Sequence, residues 1–511
     1  MLIILLLRSI FAVQLVCAAQ NVSLHPVSIN GKHFVDSVTN DRFFLRGIDY
    51  QPGGSAAYDR HSDPLSDTEK CARDVYLMQQ LGVNTVRVYT VNPKLNHDDC
   101  MTMLAAANIY LVLDVNSPLV SESINRYEPW TTYTPEYLRH VFEVVDQFSR
   151  YNNTLGFFIG NEIVNDERSA SVSPPYIRAV LRDVKDYMYY NCPRIVPLGY
   201  SAADDLRYRT QLPNYLACGD LETAVDFYGV NSYQWCGNQT IETSGYSDLI
   251  DSYKPFKIPI FFSEFGCNHV QPRLFQEVEA LFSPYMTPVF DGGLAYEFSQ
   301  EPNDYGLVQF DSQGNAHLLD DFYALQQQFL KISISETGEA ADIPINSMLH
   351  NASTQLVPLH AIDTTHLSTQ LPNQVSSRSD RDNTCLPIYD NLNGARNDIP
   401  ESFGTDMIRN GVRSNRGSYN PSILANMPVT SFDIYDINGK RVANPQIKVV
   451  NSFDPNLRHN WGPRGAAVTS SKQEKSPAET KRKERNQAPA SSFSWRFLGS
   501  LFVLVLQALL L

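Results

Sequence analysis

Two glutamates, each closing a continuous apolar run, constrain this chain more than anything else in it. The first ends Gly156-Phe157-Phe158-Ile159-Gly160-Asn161-Glu162. The second follows Ile258-Pro259-Ile260-Phe261-Phe262-Ser263, as Glu264-Phe265-Gly266. Apolar runs without polar alternation suit strands buried on both faces, as in a parallel sheet. A carboxylate at the exit of such a strand sits where an eightfold β/α barrel keeps its chemistry. Glycosidic bond chemistry needs two of them: one protonates the leaving oxygen, the other attacks the sugar or activates water. A lone strand-end glutamate is more often structural. The pair, with Asn161 directly before the first, carries the functional reading.

The same rhythm runs through the first two thirds of the 511 residues. Short apolar runs lie at Phe43–Ile48, Thr85–Tyr89, Tyr110–Val115, Gly156–Gly160, Ile195–Leu198, Phe227–Val230, Ile258–Phe262 and Gly293–Phe298. Helical patterns at Asp67–Leu81, Pro135–Tyr151, Pro175–Tyr190 and Leu274–Phe282 separate them. Strands alternating with helix-sized stretches predict an α/β fold, a (β/α)8 TIM barrel over 20–335. Beyond it Ser, Thr, Asn and Pro rise, and 336–486 reads as a linker. Within it Phe432–Val442 alternates around Asn438-Gly439, a hairpin signal, so a small β module or an addition packed on the barrel is expected there.

Both ends read as processing signals. Leu2–Leu7 and Ile10–Val16 before Cys17-Ala18-Ala19 predict a signal peptide over 1–19. The apolar run Phe497–Leu511 follows small residues and a polar spacer. It is shorter than the roughly 20 residues of a comfortable membrane span, and it predicts a removed lipid-anchor (GPI) signal over 487–511 with attachment at Asn486, an ordinary transmembrane helix being the alternative. That places the protein on the extracellular face of the plasma membrane or in the cell wall. Sequons at Asn21, Asn152, Asn238 and Asn351 agree. Of eight cysteines, Cys17 leaves with the signal; the remaining odd number implies one free or intermolecular thiol, and their scatter argues against zinc. A net charge of −14 argues against nucleic acid as a partner.

The strand ends supply Asp49-Tyr50-Gln51, Arg87-Val88-Tyr89, Asp114 with Asn116, Asn161-Glu162, Asn231-Ser232-Tyr233-Gln234-Trp235, Glu264 and Tyr296-Glu297. Taken singly, Asp49 or Arg87 would more often be a buried, paired charge; their shared location points to one cleft. In it Glu162 is expected to be the acid that later turns base, and Asn161 to bond the sugar 2-hydroxyl. Glu264 is expected to be the nucleophile, with Tyr233 a candidate to keep it ionised and aimed. Asn-Glu on the fourth and Glu on the seventh barrel strand fit a retaining enzyme, with carboxyl groups about 5–5.5 Å apart; an inverting enzyme needs them further apart, a distance that the sequence does not fix. Tyr89, Tyr233, Trp235, Tyr296 and Tyr305 are candidates to line a sugar-binding groove, about half of them being expected in the core instead.

At this point the chain resembles the fungal cell-wall β-1,3-glucanosyltransferases, glycoside hydrolase family 72. The matching segments are Phe44–Pro52, Asn84–Tyr89, Ser123–Arg126, Gly160-Asn161-Glu162, Val230–Cys236, Phe262–Cys267, Tyr296–Pro302 and Tyr305–Val308. The resemblance implies that Glu162 is acid/base and Glu264 nucleophile. It implies Gln51, Tyr89, Asp114, Asn161, Tyr233 and Tyr296 as glucan contacts, and no metal or organic cofactor. Such enzymes cut an internal β-1,3-glucan bond and pass the new reducing end to the non-reducing end of another glucan chain by double displacement. The resemblance also implies disulfides Cys71–Cys100, Cys236–Cys267 and Cys218–Cys385. The chain departs from the family pattern in the extra Cys192 and in having only Cys385 after the barrel, where some members carry a cysteine-rich module. An endo-β-1,3-glucanase would use the same carboxylates; a non-catalytic glucan-binding surface protein would have lost one.

Overall fold

The chain enters through an antiparallel hairpin, β1 (Val27–Asn30) and β2 (His33–Asp36). It then passes through eight parallel strands that close on themselves. These are β3 (Leu45–Asp49), β4 (Thr85–Val88), β5 (Tyr110–Asp114), β6 (Thr154–Asn161), β7 (Leu198–Ala203), β8 (Phe227–Asn231), β9 (Ile260–Phe265) and β10 (Gly292–Ala295). Helices follow each strand and cover the outside, and β10 pairs back onto β3 to complete the (β/α)8 barrel. This computed structural model describes residues 24–54, 58–337, 399–425 and 430–451. The expected signal peptide (1–19), Asn21, Asn351, Cys385, Asn486 and the 487–511 anchor signal lie outside the described residues.

The apolar runs become strands because both faces are covered. β4, β5, β8 and β9 have no exposed residue. Inside the barrel Phe158, Phe227 and Phe261 pack with ring centroids 5.3 to 5.9 Å apart, and Phe34 of β2 closes on Phe227 at 5.5 Å. The hairpin thus plugs the end of the barrel opposite the strand exits. The covering helices start and stop where the sequence tells them to. Asp67 caps the helix Thr68–Leu81 by accepting from the Glu69 and Lys70 amides, and Gly82 ends it at φ 86°.

The fifth barrel strand differs from expectation. It runs Leu198–Ala203, not Ile195–Leu198. Gly199, Ser201, Ala202 and Ala203 lack the bulk of a strand signature, but the neighbouring strand demands small residues. A Cβ on Gly199 would stand 2.2 Å from the Phe227 ring.

After the barrel, β11 (Val308–Phe310) and β12 (Ala316–Leu318) form a small antiparallel pair. The Asn438-Gly439 turn is a tight one in which Val442 N–H donates to Ile434 O at 2.8 Å. Its first strand, β13 (Ile434–Tyr435), adds to β12 in parallel, as an addition packed on the barrel. The neighbouring segments run as a strap over the helices. Arg182 donates to Pro400 O, Asn191 to Ile408 O, and Tyr419 OH to Asn153. Asn420 holds Thr102 and Asp99, while Gln79 and Lys448 exchange two hydrogen bonds at 2.6 and 2.8 Å.

Candidate active site

Glu162 and Glu264 both arrive at the strand-exit face. Glu264 sits within β9, whereas Glu162 directly follows β6. The Glu162 backbone turns at φ 47°, in the left-handed region that costs a non-glycine residue on the order of 1–3 kcal/mol. Its N–H is held by Ser201 O of β7 at 2.9 Å. The turn leaves the carboxyl half-buried, where Asn231 Nδ2 donates to its Oε1 at 2.8 Å.

Asn231 ends β8 and ties the two glutamates together. Its Nδ2 also reaches Asn161 Oδ1 at 3.2 Å. Its Oδ1 accepts from Ser201 Oγ at 3.0 Å and from Ser263 Oγ, beside Glu264, at 2.7 Å. The strand exit placed Asn231 in the cleft from sequence. Its bridging role across β6, β7 and β9 was not visible there, because it depends on register between strands distant in sequence.

Glu264 is 8% exposed and its carboxylate is surrounded by donors. Tyr233 OH donates to Oε2 at 2.7 Å, Tyr89 OH to Oε1 at 2.8 Å, and Arg87 Nη1 to Oε1 at 3.2 Å. Burial raises the Glu264 pKa and the Glu162 charge adds to this; Arg87, Tyr233 and Tyr89 oppose it. Arg87 itself is buried, with Nε and Nη2 on the two Asp114 oxygens at 3.0 Å each. Its guanidinium lies 4.3 Å from the Tyr89 ring centroid and 4.7 Å from that of Phe158.

The other candidates separate into those facing the cleft and those behind it. Tyr233, Tyr296 and Tyr305 form one aromatic cluster, with centroids 6.2, 5.6 and 5.3 Å apart, and all three are half-buried. Gln51 is buried and accepts from Thr90 N–H at 3.1 Å. Asp114 has both oxygens on Arg87, and Tyr89 points its hydroxyl at Glu264. Trp235, expected as a groove candidate, is instead buried against Tyr246 at 5.1 Å and belongs to the core. Glu297 is buried and bonded to Asn303 at 2.8 Å; burial pushes its pKa up to about 7.

Cys71–Cys100 and Cys236–Cys267 are disulfides, the second tying the Tyr233 loop to the segment after Glu264. Cys218 is disulfide-bonded as well, and Cys192 is a buried free thiol whose pKa burial pushes up to about 12. Asn238 is exposed, whereas Asn152 is half-buried with its Nδ2 on Leu24 O at 3.4 Å. Among the described residues no helix is long and apolar enough to cross a membrane, and no group of three His, Cys, Asp or Glu side chains is placed to hold a metal ion.

A barrel with carboxylates at the exits of its fourth and seventh strands, one open to the cleft and one held by three donors, defines a glycoside-bond enzyme. A family model described as Glucanosyltransferase, glycoside hydrolase family 72, matches residues 16–333, and the chain belongs to that family. It is 47% identical over 433 residues to the 1,3-beta-glucanosyltransferase GAS4 of Saccharomyces cerevisiae, covering 83% of each chain. It is 49% identical over 311 residues to the 1,3-beta-glucanosyltransferase gel2 of Aspergillus fumigatus, covering 61% of this chain and 65% of that one. Among solved structures it is similar to Saccharomyces cerevisiae Gas2p in complex with laminaritriose and laminaritetraose. There the TM-score is 0.57 and the identity 40%, over 60% of this chain and 69% of the other.

Proposed function

We propose that this protein is a 1,3-β-glucanosyltransferase of the retaining type. The observation that carries the proposal is the asymmetry of the two glutamates. Glu264 is buried beneath three donors, as a nucleophile needs for aim, while Glu162 stands half-open with one amide donor, as a proton carrier needs. Glu264 attacks the anomeric carbon while Glu162 protonates the leaving glucan oxygen. Glu162 then deprotonates the acceptor hydroxyl, which displaces Glu264, and two inversions restore the β configuration.

Asn161, Gln51, Tyr233 and Tyr296 are assigned to the glucan. Tyr89 acts through its hydroxyl on Glu264, and Asp114 acts by fixing Arg87. The cluster of Tyr233, Tyr296 and Tyr305 offers faces on which an acceptor sugar can stack. It then competes with water by orientation rather than by concentration.

The protein works at the cell wall or cell surface, as its family does, and its membrane attachment through a GPI anchor at Asn486 is part of the proposal. The polar spacer and apolar run before Leu511 support it. Release from membranes by a phosphatidylinositol-specific phospholipase tests it; a surface protein retaining Leu511 refutes it.

The catalytic proposal is tested with purified Glu162→Gln and Glu264→Gln on a reduced laminari-oligosaccharide, sizing the products. The wild type should give products longer than the substrate. Each variant should fold normally and lose roughly 10²–10⁴-fold or more in rate. Near-normal turnover in either variant overturns the assignment. Shorter products only, from wild type at high acceptor concentration, make the protein an endo-glucanase instead.

A further inference from the structure

Asp49 ends β3 and stands in register with Arg87 of β4. Its side chain is wholly buried, and among the described residues neither carboxyl oxygen has a hydrogen-bond partner. A buried anion without a donor costs several kcal/mol. The charged groups around it are Arg87 from β4, Asp114 from β5, Glu264 from β9 and Glu297 beyond β10, with the hydroxyls of Tyr89, Tyr233 and Tyr296 near enough to feel its charge. Arg87 is the one cation in that set, and four of its five N–H donors are committed. Nε and Nη2 serve Asp114, and Nη1 serves Glu264 and Ser263 O. One positive charge therefore already faces two carboxylates before Asp49 is counted. Burial first, and the neighbouring carboxylates after it, hold the Asp49 pKa well above the usual range against the pull of Arg87.

We infer that Asp49 is a positioning residue that keeps a proton while Glu264 is an anion and takes over the negative charge beside Arg87 while Glu264 is esterified. The inference rests on the retaining reaction proposed above. In the first step a Glu264 oxygen bonds to the anomeric carbon and the glycosidic bond breaks. Its electron pair goes to the leaving oxygen, which takes the Glu162 proton. The Glu264 charge is then gone, and Asp49 releases its proton to water to become the second counter-ion of Arg87. In the second step the acceptor oxygen bonds to the anomeric carbon and gives its proton to Glu162. The ester electrons return to Glu264, and Asp49 regains a proton from water. Arg87 thus faces two carboxylates throughout, Asp114 and one other. The cluster keeps its one net negative charge beside an anomeric carbon that is itself cationic in both transition states.

The test uses Glu162→Gln with a β-laminaribiosyl fluoride. Fluoride needs no acid to leave. At a pH where Glu264 is ionised, exchanging the C–F bond for the C–O ester bond liberates no proton, so a proton appearing in solution there comes from a group responding to the lost charge. Adduct is counted by intact-protein mass and protons by an indicator dye in weak buffer. About one proton per adduct is expected, and none when Asp49→Asn is added to Glu162→Gln, although the adduct still forms. Adduct without proton release overturns the inference. So does equal release with Asp49→Asn present, which would point to Glu297. Absence of any adduct in Glu162→Gln overturns the retaining reaction itself, and the inference with it. Should the double variant not fold, infrared difference spectra of Glu162→Gln decide. A carboxylic-acid C=O band that shifts in D2O must disappear on adduct formation, and its persistence refutes the inference.

Discussion

Replacing Tyr233 with Phe isolates one hydrogen bond on the proposed nucleophile. The ring, and with it the packing on Tyr296 and Tyr305, is kept. What is lost is the 2.7 Å donor to Glu264 Oε2; the other two donors both sit on Oε1. A hydrogen bond to a charged group is worth about 1.5–3 kcal/mol. Tyr233 stabilises the ionised form of Glu264 only, so its loss raises a pKa that burial has already raised. The reactive anion is then lost at a higher pH as the solution is acidified. Each 1.36 kcal/mol is a factor of ten, so kcat/KM on the acid side should fall by roughly 10- to 150-fold, with a much smaller loss on the plateau. The assay is kcat/KM for elongation of a reduced laminari-oligosaccharide across pH, with thermal unfolding as the check on folding. A uniform loss at every pH, with the acid limb unmoved, would falsify the reasoning and make Tyr233 a substrate contact alone.

Other substitutions test neighbouring parts of the structure. Asn231→Ala removes the amide on Glu162 and the shared acceptor of Ser201 and Ser263. kcat should drop about 10- to 100-fold with little change in KM, and a change confined to KM would refute the positioning role. Glu277 is buried with a pKa pushed up from an ordinary 4.5 to about 7, chiefly by burial. Its favourable contribution is present below 4.5 and lost as pH rises towards 7. Glu277→Gln should therefore stabilise the protein at pH 8 by on the order of 3 kcal/mol and do little at pH 4, as read by denaturant unfolding. Gly199→Ala places a Cβ 2.2 Å from the Phe227 ring and should destabilise by about 1–3 kcal/mol; an unchanged unfolding midpoint would show that β7 and β8 can part without cost.

Much of the fold was legible because a parallel barrel writes its strands as uninterrupted apolar runs. The register error at β7 has a physical origin. Where Phe227 fills the barrel, the adjacent strand must be small, and Gly-Tyr-Ser-Ala-Ala carries no hydrophobic signal. The two glutamates were readable because each ends such a run. Trp235 was misplaced because a strand exit fixes where a backbone goes, not which way its ring turns. Asp49 was visible as a strand-end carboxylate, but its lack of partners depends on how Arg87 divides its donors. The strap was read as linker since its hold on the helices comes from polar side chains and backbone groups, which leave no periodicity.

That strap sets a timetable for the newborn chain. Lys448, which pairs with Gln79 on the first barrel helix, is 369 positions downstream. At the usual ~5–20 residues per second, roughly 20–70 s separate the synthesis of the two. For that interval the helix can dock on its strand but not receive its cover. Sequence-distant contacts of this kind are the last to form. The folding machinery therefore handles a barrel whose eight strands can already be closed while its outer helices still show the polar seats of the strap. A chain stopped between 399 and 451 should accumulate as that half-dressed barrel, recognisable to chaperones by its surface and not by a broken core.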